Sequence, residues 1–306
     1  MTVCEVVTPW AYPEREFTSR ATVSVVIPTL NEARNIVHVL PKLPAGVDQV
    51  VLVDGGSTDG TVDVARKLRP DMTIIQQTRR GKGNALACGF AAATGDIIVM
   101  MDADGSTHPH EISRFVEALV RSGADFAKGS RFAPGGGSSD ITTLRRFGNS
   151  VLSKLVNTLY RTHYTDLCYG FNAFWRRCLP ALDLEHAAGA IAESADADPE
   201  PMQWGDGFEI ETLINIRIAR ASLEVVEVPS FEHGRLHGLS NLKACSDGLR
   251  VLRTILVEGR RRSVRDAESG TGMAAILELH APHRDLEALR LCGLDSAYGE
   301  VAERRT

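Results

Sequence analysis

Ile97-Ile98-Val99-Met100-Met101-Asp102-Ala103-Asp104-Gly105 is the stretch on which the fold turns. An unbroken apolar run followed at once by two carboxylates and a glycine reads as a strand buried on both faces that ends at a polar rim. Ligands of open parallel sheets bind outside the carboxyl ends of the strands. Asp102 and Asp104 are two residues apart, so in extended backbone their side chains point the same way and can share one hard divalent cation, Mg²⁺ or Mn²⁺. Such a cation takes its other ligands from water and from substrate phosphates. A pair of acids at this spacing is more often just a solvated turn, and the chain carries its own control. Asp196-Ala197-Asp198 has the same spacing but follows no strand, and it is read as decorative.

Outward from this strand the pattern alternates. Strands are predicted at residues 23–27 (ending at Pro28), 49–53, 73–77, 96–101, around 126–128 and at 224–228. Helices are predicted at 32–43 with Asn31 as N-cap, 61–68, 84–93, 109–122, 150–161, 208–219 and 248–257. Alternation of this kind implies βαβ units, an α/β protein and a mostly parallel central sheet flanked by helices. The expected organisation is an irregular lead-in over 1–21, one domain over 22–245 with a mobile acidic insertion near 187–202, and a helical, partly flexible C-terminal extension over 246–306.

The chain has 306 residues, 43% hydrophobic and 24% charged, which excludes disordered, collagenous and coiled-coil classes. With 34 Lys+Arg against 39 Asp+Glu the formal charge is −5, so a general nucleic-acid binder is not expected. No apolar run has the length of a membrane span, and Met1-Thr2-Val3-Cys4-Glu5 lacks the basic and apolar regions of a signal peptide. The expected location is cytoplasmic, with peripheral contact at the inner face of the membrane. The six cysteines are scattered, without zinc spacing, and are expected to be buried reduced thiols.

Two further clusters follow strands: Pro28-Thr29-Leu30-Asn31-Glu32 and Asp54-Gly55-Gly56-Ser57-Thr58-Asp59. The second sets a carboxylate beside bare backbone, which suits a base or ribose, although an Asx-turn closing the loop would use the same residues. Gly81-Lys82-Gly83 offers a cation and amides to a phosphate but lacks P-loop spacing.

Together with Gly129-Ser130-Arg131, these motifs come in the order of a known family. The chain resembles the inverting family 2 glycosyltransferases of the GT-A fold. Within them it is most similar to the dolichyl/polyprenyl-phosphate mannosyltransferase branch, through residues 165–174, Gly207-Phe208-Glu209-Ile210-Glu211, Glu227-Val228-Pro229 and Arg235-Leu236-His237-Gly238-Leu239-Ser240. The resemblance implies that Pro28, Thr29 and Glu32 line the nucleotide pocket, that Asp54 contacts the base and that Lys82 lies near the nucleotide. It implies that Asp102 and Asp104 hold Mg²⁺ or Mn²⁺ against the donor diphosphate. Arg131, and Arg235 with Ser240, would face the acceptor phosphate or the donor's phosphates. Two positions depart from the family's pattern: its common double Asp is Asp54-Gly55 here, and a frequent Gln is Ser106.

The expected activity is inverting, metal-dependent transfer of a hexose from a GDP-mannose- or UDP-glucose-type donor to polyprenyl phosphate. A lipid monophosphate, with a second pKa near ~6, needs no general base. A soluble or glycan hydroxyl acceptor is the alternative, and it would need a carboxylate to take the proton, with Asp206, Glu209 and Glu211 as candidates. Those acids also suit a helix N-terminus. A nucleotidyltransferase or a non-catalytic nucleotide-sugar binder is the more distant reading. The helix at 150–161, with Arg145, Arg146 and Lys154, could rest on a membrane, though core packing is the commoner role of such a helix.

Overall fold

The structure, a computed structural model, describes residues 21–184, 199–238 and 244–268. The insertion at 187–198, its Asp196-Ala197-Asp198 copy, the lead-in over 1–20, Ser240 and residues 269–306 lie outside the described residues.

The predicted strands form: β1 (Val23–Thr29), β2 (Gln49–Asp54), β3 (Thr73–Gln76), β4 (Ile97–Met100) and β5 (Phe126–Ser130). A two-residue β6 (Gly137–Ser138) pairs with β9 (Phe231–Glu232), and β8 is Val225–Pro229. The sequence reading missed the short β6 and β9 and also β7 (Asn172–Trp175), which lies antiparallel between β4 and β5. Among the described residues the main sheet runs β3-β2-β1-β4-β7-β5-β8, and every pairing except those of β7 is parallel.

The helices are α1 (Ala33–Val39), α2 (Thr61–Leu68), α3 (Lys82–Ala92), α4 (Ile112–Ser122), α5 (Thr143–Tyr160), α6 (Leu179–Leu182), α7 (Ile210–Arg220) and α8 (Ala244–Glu268). Alternate strand residues divide between two layers. Val25, Ile27, Leu52 and Val99 pack with α1 and α4 on one face. Val26, Val51, Val53 and Ile98 pack with α3, α6 and α7 on the other. Each such fully buried side chain contributes about 1.5–3 kcal/mol. A smaller cluster, with Val156, Tyr160, Ile216, Val251 and Ile255, joins α5, α7 and α8. The compact body ends at Gly259.

Several expectations are corrected. Asn31 is not an N-cap: it sits at φ 57, and its Oδ1 accepts from Thr58 N at 2.8 Å, tying two rim loops together. The first turn of α1 is served instead by Asp59 Oδ2, which accepts from Ala33 N at 3.0 Å. The helix predicted over 32–43 stops at Val39 and tightens to a 3₁₀ turn, because Pro41 has no N–H to continue the ladder. The helix predicted at 150–161 begins at Thr143, where the Thr142 side chain accepts from Arg145 N. The end of the acidic insertion is docked, with Arg80 N donating to Glu200 O at 2.8 Å and Glu200 N to Thr78 O at 3.0 Å. Cys88 and Cys178 are buried as expected, but Cys168 is exposed.

Candidate active site

Because β7 is antiparallel to both β4 and β5, the carboxyl ends of β1, β2, β4, β5 and β8 meet the start of β7 at one rim. The polar clusters after β1, β2 and β4 therefore gather there, joined by Arg131 and the segment Cys168–Phe171. They surround a cavity of about 950 Å³. Its strand-end side is lined by Pro28, Thr29, Glu32, Lys82, Asp102 and Asp104. Its other side is lined by Ile141, just before α5, by Leu144 and Leu152 of α5, by Phe208, just before α7, and by Val251 of α8.

Lys82 opens α3 and reaches across the rim. Its Nζ lies 2.7 Å from Asp102 Oδ1 and 3.0 Å from Oδ2, and 2.7 Å from Glu211 Oε1. Burial alone would lower the pKa of this ammonium, but Asp102 and Glu211 outweigh it and the pKa is raised. Burial also raises the Glu211 carboxyl, against the lowering by Lys82. The backbone of Gly170 closes on the trio: a Cβ there would stand 2.9 Å from Lys82 Nζ and 3.1 Å from Glu211 Oε1.

Asp104 Oδ1 accepts from Ser106 N at 2.9 Å, and its Oδ2 faces Arg235 Nε at 3.5 Å. Arg235 rides on a strap held to the same loop, with His233 N donating to Ser106 O at 2.7 Å and Leu236 N to Asp104 O at 3.2 Å. Arg235 also donates twice to Glu32 Oε1, at 3.0 and 2.7 Å. Asn35 holds the second Glu32 oxygen at 2.5 Å. Burial raises the Glu32 carboxyl, with Asn35 and Arg235 opposing.

Asp54 is nearly buried. Its Oδ2 accepts from Gly56 N and Ser57 N, each at 3.0 Å, so the Asx-turn anticipated from sequence does form. Its Oδ1 is buried without a partner, beside the cavity-lining Gly55, Gly56 and Gln77. Thr29 Oγ1 donates to Val53 O at 3.2 Å.

Arg131 lines the cavity but is already engaged. Nε and Nη2 donate to Asp166 at 2.7 and 3.0 Å, and Nη1 donates to both oxygens of Glu232 at 3.1 Å. Its guanidinium carbon stands 4.9 Å from the centre of the Tyr169 ring. Asp206 is not among the lining residues. Its buried carboxylate is bonded to Arg79 Nε at 2.7 Å and Nη2 at 2.9 Å. Its carbonyl takes Gly83 N at 2.7 Å, so one amide of the Gly81–Gly83 loop is spent on the fold. Gly81 lies at φ +118, and a Cβ on it would come within 2.1 Å of the same carbonyl. Glu209 is likewise turned inward, with Oε1 accepting from Gly205 N at 3.0 Å. Of the three acids considered for proton transfer, Glu211 alone lines the cavity.

Asp102 and Asp104 fit a hard divalent cation by the chemistry of their donors. Both are carboxylates, partly open to the cavity (side chains 36% and 19% exposed) and sited where a diphosphate could complete the shell. No cluster of three or more His, Cys, Asp or Glu suited to a metal occurs among the described residues, so substrate oxygens and water would supply the rest. Asp247, Gly248 and Val251, placed by the sequence in the C-terminal extension, also line the cavity. Sequence reasoning missed Arg79, Asp166 and Glu232 as the partners that fix this geometry. Asp166 lay inside a quoted motif, but nothing local marked its link to Arg131. Cys168 is exposed and lines the cavity.

An α/β sheet whose strand ends share one cavity, with paired acids facing fixed cations across it, belongs to the GT-A class of folds. The likeness extends to a solved structure, glucosyl-3-phosphoglycerate synthase from Mycobacterium tuberculosis in complex with Mn²⁺, UDP and glucosyl-3-phosphoglycerate. The TM-score is 0.56 at 22% identity, covering 78% of this chain and 80% of that one. Residues 24–180 match glycosyl transferase family 2, and the chain belongs to that family. It is 37% identical over 176 residues to polyprenol monophosphomannose synthase of Mycolicibacterium smegmatis, covering 52% of this chain and 64% of that protein. It is 32% identical over 216 residues to undecaprenyl-phosphate mannosyltransferase of Micrococcus luteus, covering 68% and 82%. It is 36% identical over 231 residues to dolichol-phosphate mannosyltransferase of Pyrococcus furiosus, covering 72% and 59%. The chain thus spans under two thirds of the first and third of these relatives.

Proposed function

We propose that the chain is an inverting, metal-dependent glycosyltransferase moving a hexose from a nucleotide-diphosphate sugar, of GDP-mannose or UDP-glucose type, to polyprenyl phosphate. One observation carries the reading: a single cavity joins the charges of Lys82, Asp102 and Asp104 to an apolar wall of Ile141, Leu144, Leu152, Phe208 and Val251. A phosphate head on an isoprenoid tail requires that juxtaposition. The names of the curated relatives, polyprenyl-phosphate mannosyltransferases, support the same acceptor.

Pro28, Thr29 and Glu32 line the nucleotide, and Asp54 meets the base through its unpartnered Oδ1. Mg²⁺ or Mn²⁺ on Asp102 and Asp104 supplies neutralisation of the charge that develops on the leaving diphosphate. Lys82 adds a fixed positive charge on the same side. Arg235, with Ser240, serves the acceptor phosphate or the donor's phosphates. Arg131 acts as a positioning residue, since its donors are held by Asp166 and Glu232. The acceptor phosphate attacks opposite the leaving group as an anion and needs no proton acceptor. A hydroxyl acceptor would need one, and Glu211, in the cavity with a raised pKa, is the residue that favours this second reading.

No helix among the described residues is long and apolar enough to cross a membrane. Peripheral contact is supported by α5, which exposes Leu144, Phe147 and Val151 beside Arg145 and Arg146 and contains no acid.

The test is a screen of purified protein with labelled GDP-mannose and UDP-glucose against short polyprenyl phosphates and soluble acceptors, with and without Mn²⁺. Metal-dependent label on the lipid phosphate is expected. Label on soluble acceptors alone would overturn the lipid reading.

A further inference from the structure

The two carboxylates assigned to the divalent cation are not bare. Lys82 Nζ lies within 3.0 Å of both oxygens of Asp102, occupying the open edge where a cation would sit. Arg235 Nε faces Asp104 Oδ2 at 3.5 Å. Both cations are built in. Lys82 is gripped by Glu211 at 2.7 Å against the Gly170 backbone. Arg235 is anchored by its pair with Glu32 and by a strap whose backbone bonds run to Asp104 and Ser106.

We infer that Lys82 and Arg235 are resident counter-ions of Asp102 and Asp104, so that the chain holds a free divalent cation weakly and takes it up together with a nucleoside diphosphate. The inference rests on the metal role proposed for those two acids and adds to it an order of binding.

The physical reason is an exchange of partners. A divalent cation bonded to Asp102 would stand within a few ångströms of the Lys82 ammonium, and like charges at that range repel strongly in a partly buried site. Lys82 must therefore leave Asp102 before that carboxylate can act as a ligand. Without a diphosphate, its other anionic partner in contact among the described residues is Glu211. A diphosphate brings new negative charge for Lys82 and Arg235 and oxygen ligands for the cation, so no charge is left unpaired. Glu211 then serves as the anchor that keeps Lys82 in the site while it changes partner.

The test is titration of the full chain with Mn²⁺, alone and with GDP or UDP, bound ion being read by loss of the free-ion electron paramagnetic resonance signal beyond that of a protein-free blank holding the same Mn²⁺ and nucleotide. Wild type should bind Mn²⁺ at least about tenfold more tightly with the nucleotide than without it. Lys82→Met should move the two affinities in opposite directions: Mn²⁺ alone binds about tenfold more tightly, and the nucleotide binds more weakly. Arg235→Gln, on a partly exposed strap, should also tighten binding of Mn²⁺ alone, and it carries the test should Lys82→Met fail to fold. Wild type binding Mn²⁺ equally well with and without nucleotide, or variants that leave binding of Mn²⁺ alone unchanged or weaker, would overturn the exchange while leaving the metal role intact. Absence of bound Mn²⁺ under every condition would remove the metal role and the inference with it.

Discussion

Arg79 and Asp206, separated by 127 residues in the chain, are joined by two hydrogen bonds of 2.7 and 2.9 Å in the interior. The pair pins the loop that delivers Lys82 to the entrance of α7. A buried carboxylate so held is a strong structural tie. Asp206→Ala, which strands the Arg79 charge, should lower stability by about 3–5 kcal/mol. Thermal denaturation checks this, and Asp206→Asn should show a smaller loss. A normal melting temperature combined with abolished turnover would return Asp206 to the proton-transfer role considered from sequence.

Arg131 should behave the same way. Asp166 and Glu232, both inside the fold, depend on it. Arg131→Leu should destabilise by about 3–5 kcal/mol, and Arg131→Lys by less, because one ammonium cannot serve both acids in the planar fork. An unchanged melting temperature with a raised KM for the acceptor would show that Arg131 meets phosphate directly.

Asp104→Asn should leave the fold intact, since this side chain is at the cavity surface, and should cut turnover by about 10³-fold or more, ~4 kcal/mol of transition-state stabilisation. Circular dichroism and initial rates measure the two halves. Wild-type rates would take the cation away from this carboxylate.

Leu144 is 63% exposed and lines the apolar side of the cavity. Leu144→Glu should raise KM for a polyprenyl phosphate about tenfold or more and leave donor affinity unchanged, because a charge there repels the tail and any lipid surface but lies outside the nucleotide contacts. Equal effects on donor and acceptor would argue against a tail in that groove.

His108 gives a pH dependence. Burial, with the charges of His110, Lys42 and His233, lowers its pKa from 6.5 to about 4. Between those values the folded state holds the ring neutral while the unfolded chain would protonate it. Stability is therefore lost as pH falls through that window, and none of the slope above pH 6.5 comes from this group. His108→Gln should flatten the fall in melting temperature between pH 6.5 and 4 relative to wild type. Parallel curves would place the acid sensitivity elsewhere.

Much of the fold was legible because its signals are local. The runs ending at Pro28, Asp54 and Asp102 are too apolar for half-exposed strands, and their spacing by helices leaves little but a parallel sheet. β7 was missed because Asn172-Ala173-Phe174-Trp175 is short and begins with a polar residue. Only its neighbours β4 and β5 make it a strand. The acids after β1, β2 and β4 were recognisable as one rim, but which of them faces the cavity was not. Asp206 and Glu211 sit five residues apart, and one tethers a loop while the other touches Lys82.

The sequence by itself determined the parallel strands of the sheet, the rim at their ends, and the residue types gathered on it, because hydrophobic period and turn chemistry act over a few residues. The tertiary structure decided the pairings: Lys82 with Asp102 and Glu211, Arg235 with Asp104 and Glu32, Arg131 with Asp166 and Glu232. Those contacts join segments from distant parts of the chain. A charge's partner depends on where folding leaves it in space, and no pattern read along the chain records that distance.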